Sequence, residues 1–70
     1  MNNLLKVLGN RLKLRRQEMG YSQEKLAELA GLHPTHIGRI ERAEKTVTIK
    51  TLYKIVKILG LSMEELFKNF

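Results

Sequence analysis

No cysteine occurs in the sequence, and proline occurs only once among its 70 residues. Without cysteine the chain forms neither a disulfide framework nor a thiolate metal site, so packing, helix capping and a partner subunit must supply its stability. With one proline and five glycines, few residues are available for turns outside helix ends. These absences favour an all-α domain.

Long apolar runs are also missing. No run exceeds three residues, which is too short for a transmembrane helix, and Met1, Asn2 and Asn3 lack the basic start and apolar stretch of a signal peptide. We therefore expect a cytoplasmic protein with no membrane partner. A chain of this length supports one small core, so we expect a single domain over residues 1–70, without a sensing domain for a small-molecule ligand.

Acidic residues are few relative to basic ones. Thirteen lysines and arginines stand against seven aspartates and glutamates, which gives a net charge of +6 and an isoelectric point near 10.0. This excess predicts a polyanionic partner. Charge alone does not distinguish nucleic acid from an anionic membrane surface, so the positions of the basic residues must decide.

Apolar residues recur at three- and four-residue intervals in five segments, which predicts five amphipathic helices. The predicted inward faces carry Leu5, Leu8, Leu12 and Met19; then Leu26, Ala27, Leu29 and Ala30; then Ile37 and Ile40; then Ile49, Leu52, Ile55, Val56 and Leu59; and finally Met63, Leu66 and Phe67. The predicted N-terminal caps are Ser22, His33, Thr48 and Ser62, the last in a capping box with Glu65, and the predicted helix ends are Gly20, Gly31 and Gly60. Residues 43–47 have no helical period and read as a loop.

Residues 22–42 combine the features of two helices that meet across a short turn. Ala27 is small where the two helices approach each other, and Gly31 allows the left-handed conformation at the corner. The space between the helices is predicted to be filled by four apolar residues: Leu26, Ala30, Ile37 and Ile40. A plain helical hairpin shares any one of these features, whereas their combination predicts a helix-turn-helix.

On these residues the chain resembles the helix-turn-helix domains of the phage repressor and Cro type, which include stand-alone regulators and controller proteins of restriction-modification systems. The resemblance covers about residues 8–67 and rests on residues 22–27 (SQEKLA), 30–32 (AGL), 37–42 (IGRIER) and 52–67. It implies a compact five-helix all-α domain in which helices two and three form the motif and the last two helices span residues 48–68. It also implies that helix three lies in the major groove while helix two crosses the DNA backbone.

The resemblance assigns roles residue by residue. It implies base reading by Pro34, Thr35, His36 and Arg39, and phosphate binding by Gln23, Arg42, Lys45 and Thr46. Arginine at position 39 suits a bidentate hydrogen bond with guanine, although a phosphate contact remains an alternative. Pro34 has no backbone N–H to donate and offers only apolar contact. Arg16 and Glu41 match a structural salt bridge between helices one and three. The chain departs from the family at Ala43, where glycine is usual, and at Val47, where proline is common.

One recognition helix reads about four or five base pairs, which is too short a sequence to specify a single site in a genome. We therefore expect a homodimer. The last helix and its surroundings carry more apolar residues than a small core needs, which predicts a two-fold interface at Ile58, Leu61, Met63, Phe67 and Phe70. The alternative is that Met63 and Phe67 belong to the core together with Leu66.

The sequence therefore predicts a transcriptional regulator, with repression as its mode, that binds double-stranded DNA at a palindromic operator. The alternatives are the DNA-binding antitoxin of a toxin pair and a protein-interaction module of the same fold. An enzyme is not expected, because a cysteine nucleophile, paired carboxylates in an apolar setting and a glycine-rich phosphate loop are all missing. No cofactor is expected. His33 and His36 lack a third ligand, so they do not predict a metal site.

Overall fold

The computed structural model describes residues 2–70, so the predicted start of the domain at Met1 lies outside the described residues. The chain forms α1 (Asn2–Glu18), α2 (Gln23–Ala30), α3 (Pro34–Glu41), α4 (Ile49–Ile58) and α5 (Met63–Leu66). Residues 2–70 contain no strand, and the prediction of an all-α, five-helix domain is confirmed. Over this range no helix has both the length and the apolar character that a membrane crossing requires.

The predicted caps set the boundaries of the helices. The side chains of Ser22, Thr48 and Ser62 each accept a hydrogen bond from a backbone N–H in the first turn of the following helix, and the amide of Ser62 donates a hydrogen bond to the carboxylate of Glu65. Gly20, Gly31 and Gly60 follow helix ends with φ between 68° and 76°. The last helix is shorter than predicted. It ends at Leu66 because the turn that follows reaches a left-handed residue at Asn69, where φ is 65°.

Three residues predicted to face inward are exposed. Met19 lies in the turn after α1 has ended, and Ile49 is the first residue of α4 with 71% of its surface exposed, ahead of the buried stripe that begins at Leu52. Leu29 is 44% exposed because it stands about 100° around α2 from Ala30, which points into the core. The buried apolar core contains Leu8, Leu12, Leu26, Ala27, Ala30, Ile37, Ile40, Leu52, Ile55, Val56, Leu59 and Leu66.

Helix α1 touches the end of α3 with its backbone. Gly9 is buried, and a Cβ atom at this position would lie 2.6 Å from the carbonyl oxygen of Glu41 and 2.7 Å from that of Ile40. Both distances are shorter than a van der Waals contact, and the atoms that a side chain would meet belong to the backbone, which cannot rotate aside as a side chain can. The absence of a side chain at Gly9 therefore sets how closely α3 packs on α1, a role that sequence analysis missed.

We predict that Gly9→Ala lowers the free energy of unfolding by roughly 1–3 kcal/mol, because the added methyl group overpacks the contact with α3. Alanine is the better helix former, so a loss in stability would identify the steric clash as the dominant effect. Urea denaturation measures the loss. Asn10→Ala on the exposed side of the same helix is the control and should leave stability nearly unchanged. Equal stability of wild type and Gly9→Ala would contradict the close approach.

Candidate DNA interface

A three-residue turn joins α2 to α3. Gly31 adopts the left-handed conformation with φ of 68°, and the amide of Leu32 donates a 2.8 Å hydrogen bond to the carbonyl of Ala27. His33 then caps α3, since its Nδ1 accepts a 3.1 Å hydrogen bond from the amide of Thr35. Ala27 and Ile37 are buried between the two helices. The turn thus fixes α3 rigidly against α2.

A buried ion pair anchors the end of α3 to α1. The Nε and Nη2 atoms of Arg16 donate to the two carboxylate oxygens of Glu41 at 2.7 Å and 3.1 Å, and the side chains are only 9% and 3% exposed. Arg16 also donates to the carbonyl of Tyr21 at 2.8 Å, and Gln23 Nε2 donates to Oε1 of Glu41 at 3.0 Å. This network connects α1, the start of α2 and the end of α3, and within residues 2–70 no buried side-chain polar atom lacks a partner.

We predict that Glu41→Gln lowers the free energy of unfolding by about 3–5 kcal/mol, because it leaves the guanidinium of Arg16 buried without its counter-charge. A loss of that size approaches the whole stability expected of a 70-residue domain. Thermal unfolding followed by circular dichroism measures it. The control is Glu28→Gln, which breaks the exposed pair between Lys25 and Glu28 and should have a much smaller effect. Similar losses in both variants would refute the anchoring role.

The four residues that the resemblance assigns to base reading lie on α3. Thr35 and Arg39 are exposed and stand one turn apart, on the same face, while Pro34 and His36 are half-buried. Arg39 belongs to none of the four ion pairs found in residues 2–70. Its guanidinium thus projects from a fixed helix outside these ion pairs, although its charge helps to lower the pKa of the nearby Glu44 carboxyl.

The surroundings of His36 favour its neutral form. Burial lowers the pKa of its imidazole below the ordinary value of 6.5, and the positive charges of Lys45 and Arg39 lower this pKa further. A neutral imidazole has one hydrogen-bond donor and one acceptor. The neutral side chain of His36 therefore carries both kinds of polar group that the major groove displays.

The residues assigned to phosphate binding lie at the start of α2 and after α3. Gln23 is half-buried, Lys45 and Thr46 are exposed, and Arg42 is the C-cap of α3. Arg42 pairs with Glu44 through bonds of 3.0 Å and 3.3 Å, and the hydrogen bond from Arg42 lowers the pKa of the Glu44 carboxyl below its ordinary value.

Sequence analysis missed the pair between Arg42 and Glu44, because residues two apart on a continuous helix point in different directions. The backbone brings them together at Ala43, whose φ of 60° is left-handed, and the amide of Glu44 turns back to donate a 2.8 Å bond to the carbonyl of Arg39. Alanine therefore adopts here the conformation that glycine prefers. The only signal in the sequence was the departure from glycine at this position.

Residues predicted to form the dimer interface lie in and around α5, with Ile58 at the end of α4. Phe70 is 57% exposed and its ring centroid lies 5.8 Å from that of Phe67, while the guanidinium of Arg11 stands 4.8 Å above the Phe70 ring. The others pack partly against the core: Ile58, Leu61, Met63 and Phe67. Leu14 of α1, which sequence analysis did not assign to this interface, is exposed and lines a groove together with Leu61. We call Leu14, Leu61, Phe67 and Phe70 the apolar patch.

Comparison with known families decides the class of the protein. A family model described as helix-turn-helix matches residues 12–66, which contain α2, α3, α4, α5 and the C-terminal part of α1. The chain belongs to the helix-turn-helix family. The resemblance to repressor-type domains is thereby confirmed, and the motif consists of α2 and α3 as predicted.

Relatives within the helix-turn-helix family include short and long proteins. Control protein C.SmaI of Serratia marcescens is 39% identical over 64 residues, which cover 91% of this chain and 76% of the relative. The HTH-type transcriptional regulator PuuR of Escherichia coli is 44% identical over 61 residues, covering 87% of this chain. The chain spans only 33% of the length of PuuR.

Solved structures in the same family share the fold. The restriction-modification controller protein C.AhdI of Aeromonas hydrophila matches with a TM-score of 0.86 and 36% identity, over 96% of this chain and all of that one. SinR, described as the master regulator for biofilm formation and solved in complex with DNA, matches with a TM-score of 0.80 and 35% identity, over 87% and 98% of the two chains.

Proposed function

We propose that the protein is a sequence-specific transcriptional regulator that binds double-stranded DNA as a homodimer. The observation that carries this proposal is the exposed pair Thr35 and Arg39 on α3, which the buried network around Glu41 fixes to the rest of the domain. The net charge of +6 favours a polyanionic partner. The similarity to SinR, which was solved with DNA, also supports DNA as that partner.

In the proposed complex, α3 lies in the major groove. Arg39 forks onto the O6 and N7 atoms of a guanine, and Thr35, His36 and Pro34 contact neighbouring base edges. Gln23, Arg42, Lys45 and Thr46 hold phosphates on either side of the groove, where the positive end of the α2 dipole assists Gln23. The protein would act in the cytoplasm, at the nucleoid. A dimer bound to its operator prevents other proteins from binding the same stretch of DNA. Where the operator overlaps a promoter, this exclusion represses transcription.

We predict that Arg39→Ala separates base reading from backbone binding. The operator is first obtained by selecting bound sequences from a random duplex pool, and affinity is then measured for operator and random duplex. Loss of a forked guanine contact should remove about 1–3 kcal/mol of discrimination per half-site, while random DNA binds nearly as before. Equal weakening on both duplexes, with the fold intact, would instead make Arg39 a phosphate ligand.

The matched control is Lys45→Ala, which removes an exposed basic residue beside the same helix. Because a phosphate contact does not depend on the base sequence, this variant should weaken binding to the operator and to random duplex equally. It should also reduce the slope of log affinity against log salt by about one per subunit contact.

We further propose that the apolar patch joins two copies about a two-fold axis. Such an axis repeats the recognition helix and matches a palindromic operator. Two of the patch residues, Leu61 and Phe67, also pack on the core, so the exposed Phe70 is the better residue for separating dimerisation from folding.

We predict that Phe70→Glu raises the dissociation constant of the dimer at least about ten-fold, because the interface would have to bury a carboxylate. Sedimentation measures the dimer, and circular dichroism should show unchanged helix content. The control is Tyr53→Glu, which replaces an aromatic residue of similar exposure, 53% against 57%, outside the patch. A dimer that persists in Phe70→Glu, or dissociates equally in both variants, would rule out this face.

A further inference from the structure

We infer that Gly38 is a positioning residue for phosphate binding: its missing side chain lets Arg42 and Gln23 meet over α3 and hold one backbone phosphate of DNA between them. This inference rests on the proposed DNA binding and adds a composite site to it. The site draws its two ligands from different helices, one at the start of α2 and one at the end of α3.

The first observation is the space above Gly38. A Cβ atom at this position would lie 2.9 Å from Nη1 of Arg42 and 3.5 Å from both Nε2 and Oε1 of Gln23. At Gly9, by contrast, the nearest atoms are backbone carbonyls of another helix. The space at Gly38 is therefore filled by the polar ends of two side chains, both of which the family resemblance assigns to phosphate binding.

The second observation is that carboxylates hold both side chains in place. Nε and Nη2 of Arg42 donate hydrogen bonds to the carboxylate of Glu44. The remaining nitrogen, Nη1, is directed towards Gly38. Glu41 accepts one hydrogen of the Gln23 amide, so the second hydrogen of that amide remains as a donor. Two N–H donors of opposite helices are thus held near a single point.

The chemistry of these donors selects the ligand. The guanidinium is positively charged, and the amide adds a neutral donor whose position is already fixed. A phosphodiester has two anionic oxygens that accept from both groups at once. Glycine is unfavourable in the middle of a helix, so its presence at position 38 needs a compensating reason. The composite site supplies that reason.

The experiment is a double-mutant cycle of wild type, Gly38→Ala, Arg42→Ala and the double variant. Each is measured for thermal unfolding and for affinity to operator and random duplex across a range of salt. Gly38→Ala should melt at the same temperature as wild type or higher, because the flexible end of Arg42 can move aside and alanine favours the helix. Its affinity for both duplexes should fall on the order of ten-fold, with a salt slope lower by about one per subunit.

In the Arg42→Ala background, Gly38→Ala should cause no further loss, because the group displaced by the methyl is already absent. Gln17→Ala, an exposed helix position on α1, is the control and should bind as wild type does. Wild-type affinity of Gly38→Ala would overturn the inference, and so would a loss that persists without Arg42. Failure of Gly38→Ala to fold would also overturn it, because the added methyl must displace only side chains. If wild type bound neither duplex, the proposed function itself would fail before the cycle began.

Discussion

The buried ion pair between Arg16 and Glu41 fixes the position of α3 relative to α1, and the arrangement of the candidate interface depends on that position. Removing two charges from water is costly, and a pair of this kind adds little net stability compared with well-packed apolar residues. Its value is geometric, because a bidentate contact tolerates little displacement of either helix. The backbone contact at Gly9 meets the same end of α3, and Gln23 joins α2 to the same carboxylate. Three elements therefore converge on Glu41, and the orientation of α3 follows.

Around this anchor, the charged side chains divide by what they contact. Arg16 is buried and fully engaged within the protein, whereas Arg39 and Lys45 are exposed and belong to none of the ion pairs in residues 2–70. Arg42 is intermediate, since it is exposed and yet bound by Glu44. A paired guanidinium has lost part of its freedom before any ligand arrives, which lowers the entropy cost of a later contact. The same arrangement favours a fixed phosphate contact at Arg42 and an adaptable one at Lys45.

Helix caps and hydrophobic periodicity, which depend on residues close in the sequence, predicted the fold well but did not predict the contacts between distant residues. The caps at Ser22, His33, Thr48 and Ser62 depend on residues two or three positions apart, so the sequence was sufficient to identify them. Periodicity alone placed Leu29 and Ile49 inward, because it cannot tell where on a short helix the neighbouring helices pack. The contacts over Gly9 and Gly38 depend on backbone and side chains far along the chain, and a glycine carries no pattern that distinguishes close packing from a polar cleft.

The turn after α3 links helix termination to the candidate interface. Left-handed alanine costs roughly 1–2 kcal/mol relative to the right-handed conformation, so the strain at Ala43 needs an offset. The same conformation returns the amide of Glu44 to the carbonyl of Arg39 and brings the Glu44 carboxylate to Arg42. The backbone feature that ends the helix thus also fixes the guanidinium. Because Arg39 and Arg42 stand on one rigid turn, a phosphate held at Arg42 would set the register in which Arg39 meets the bases.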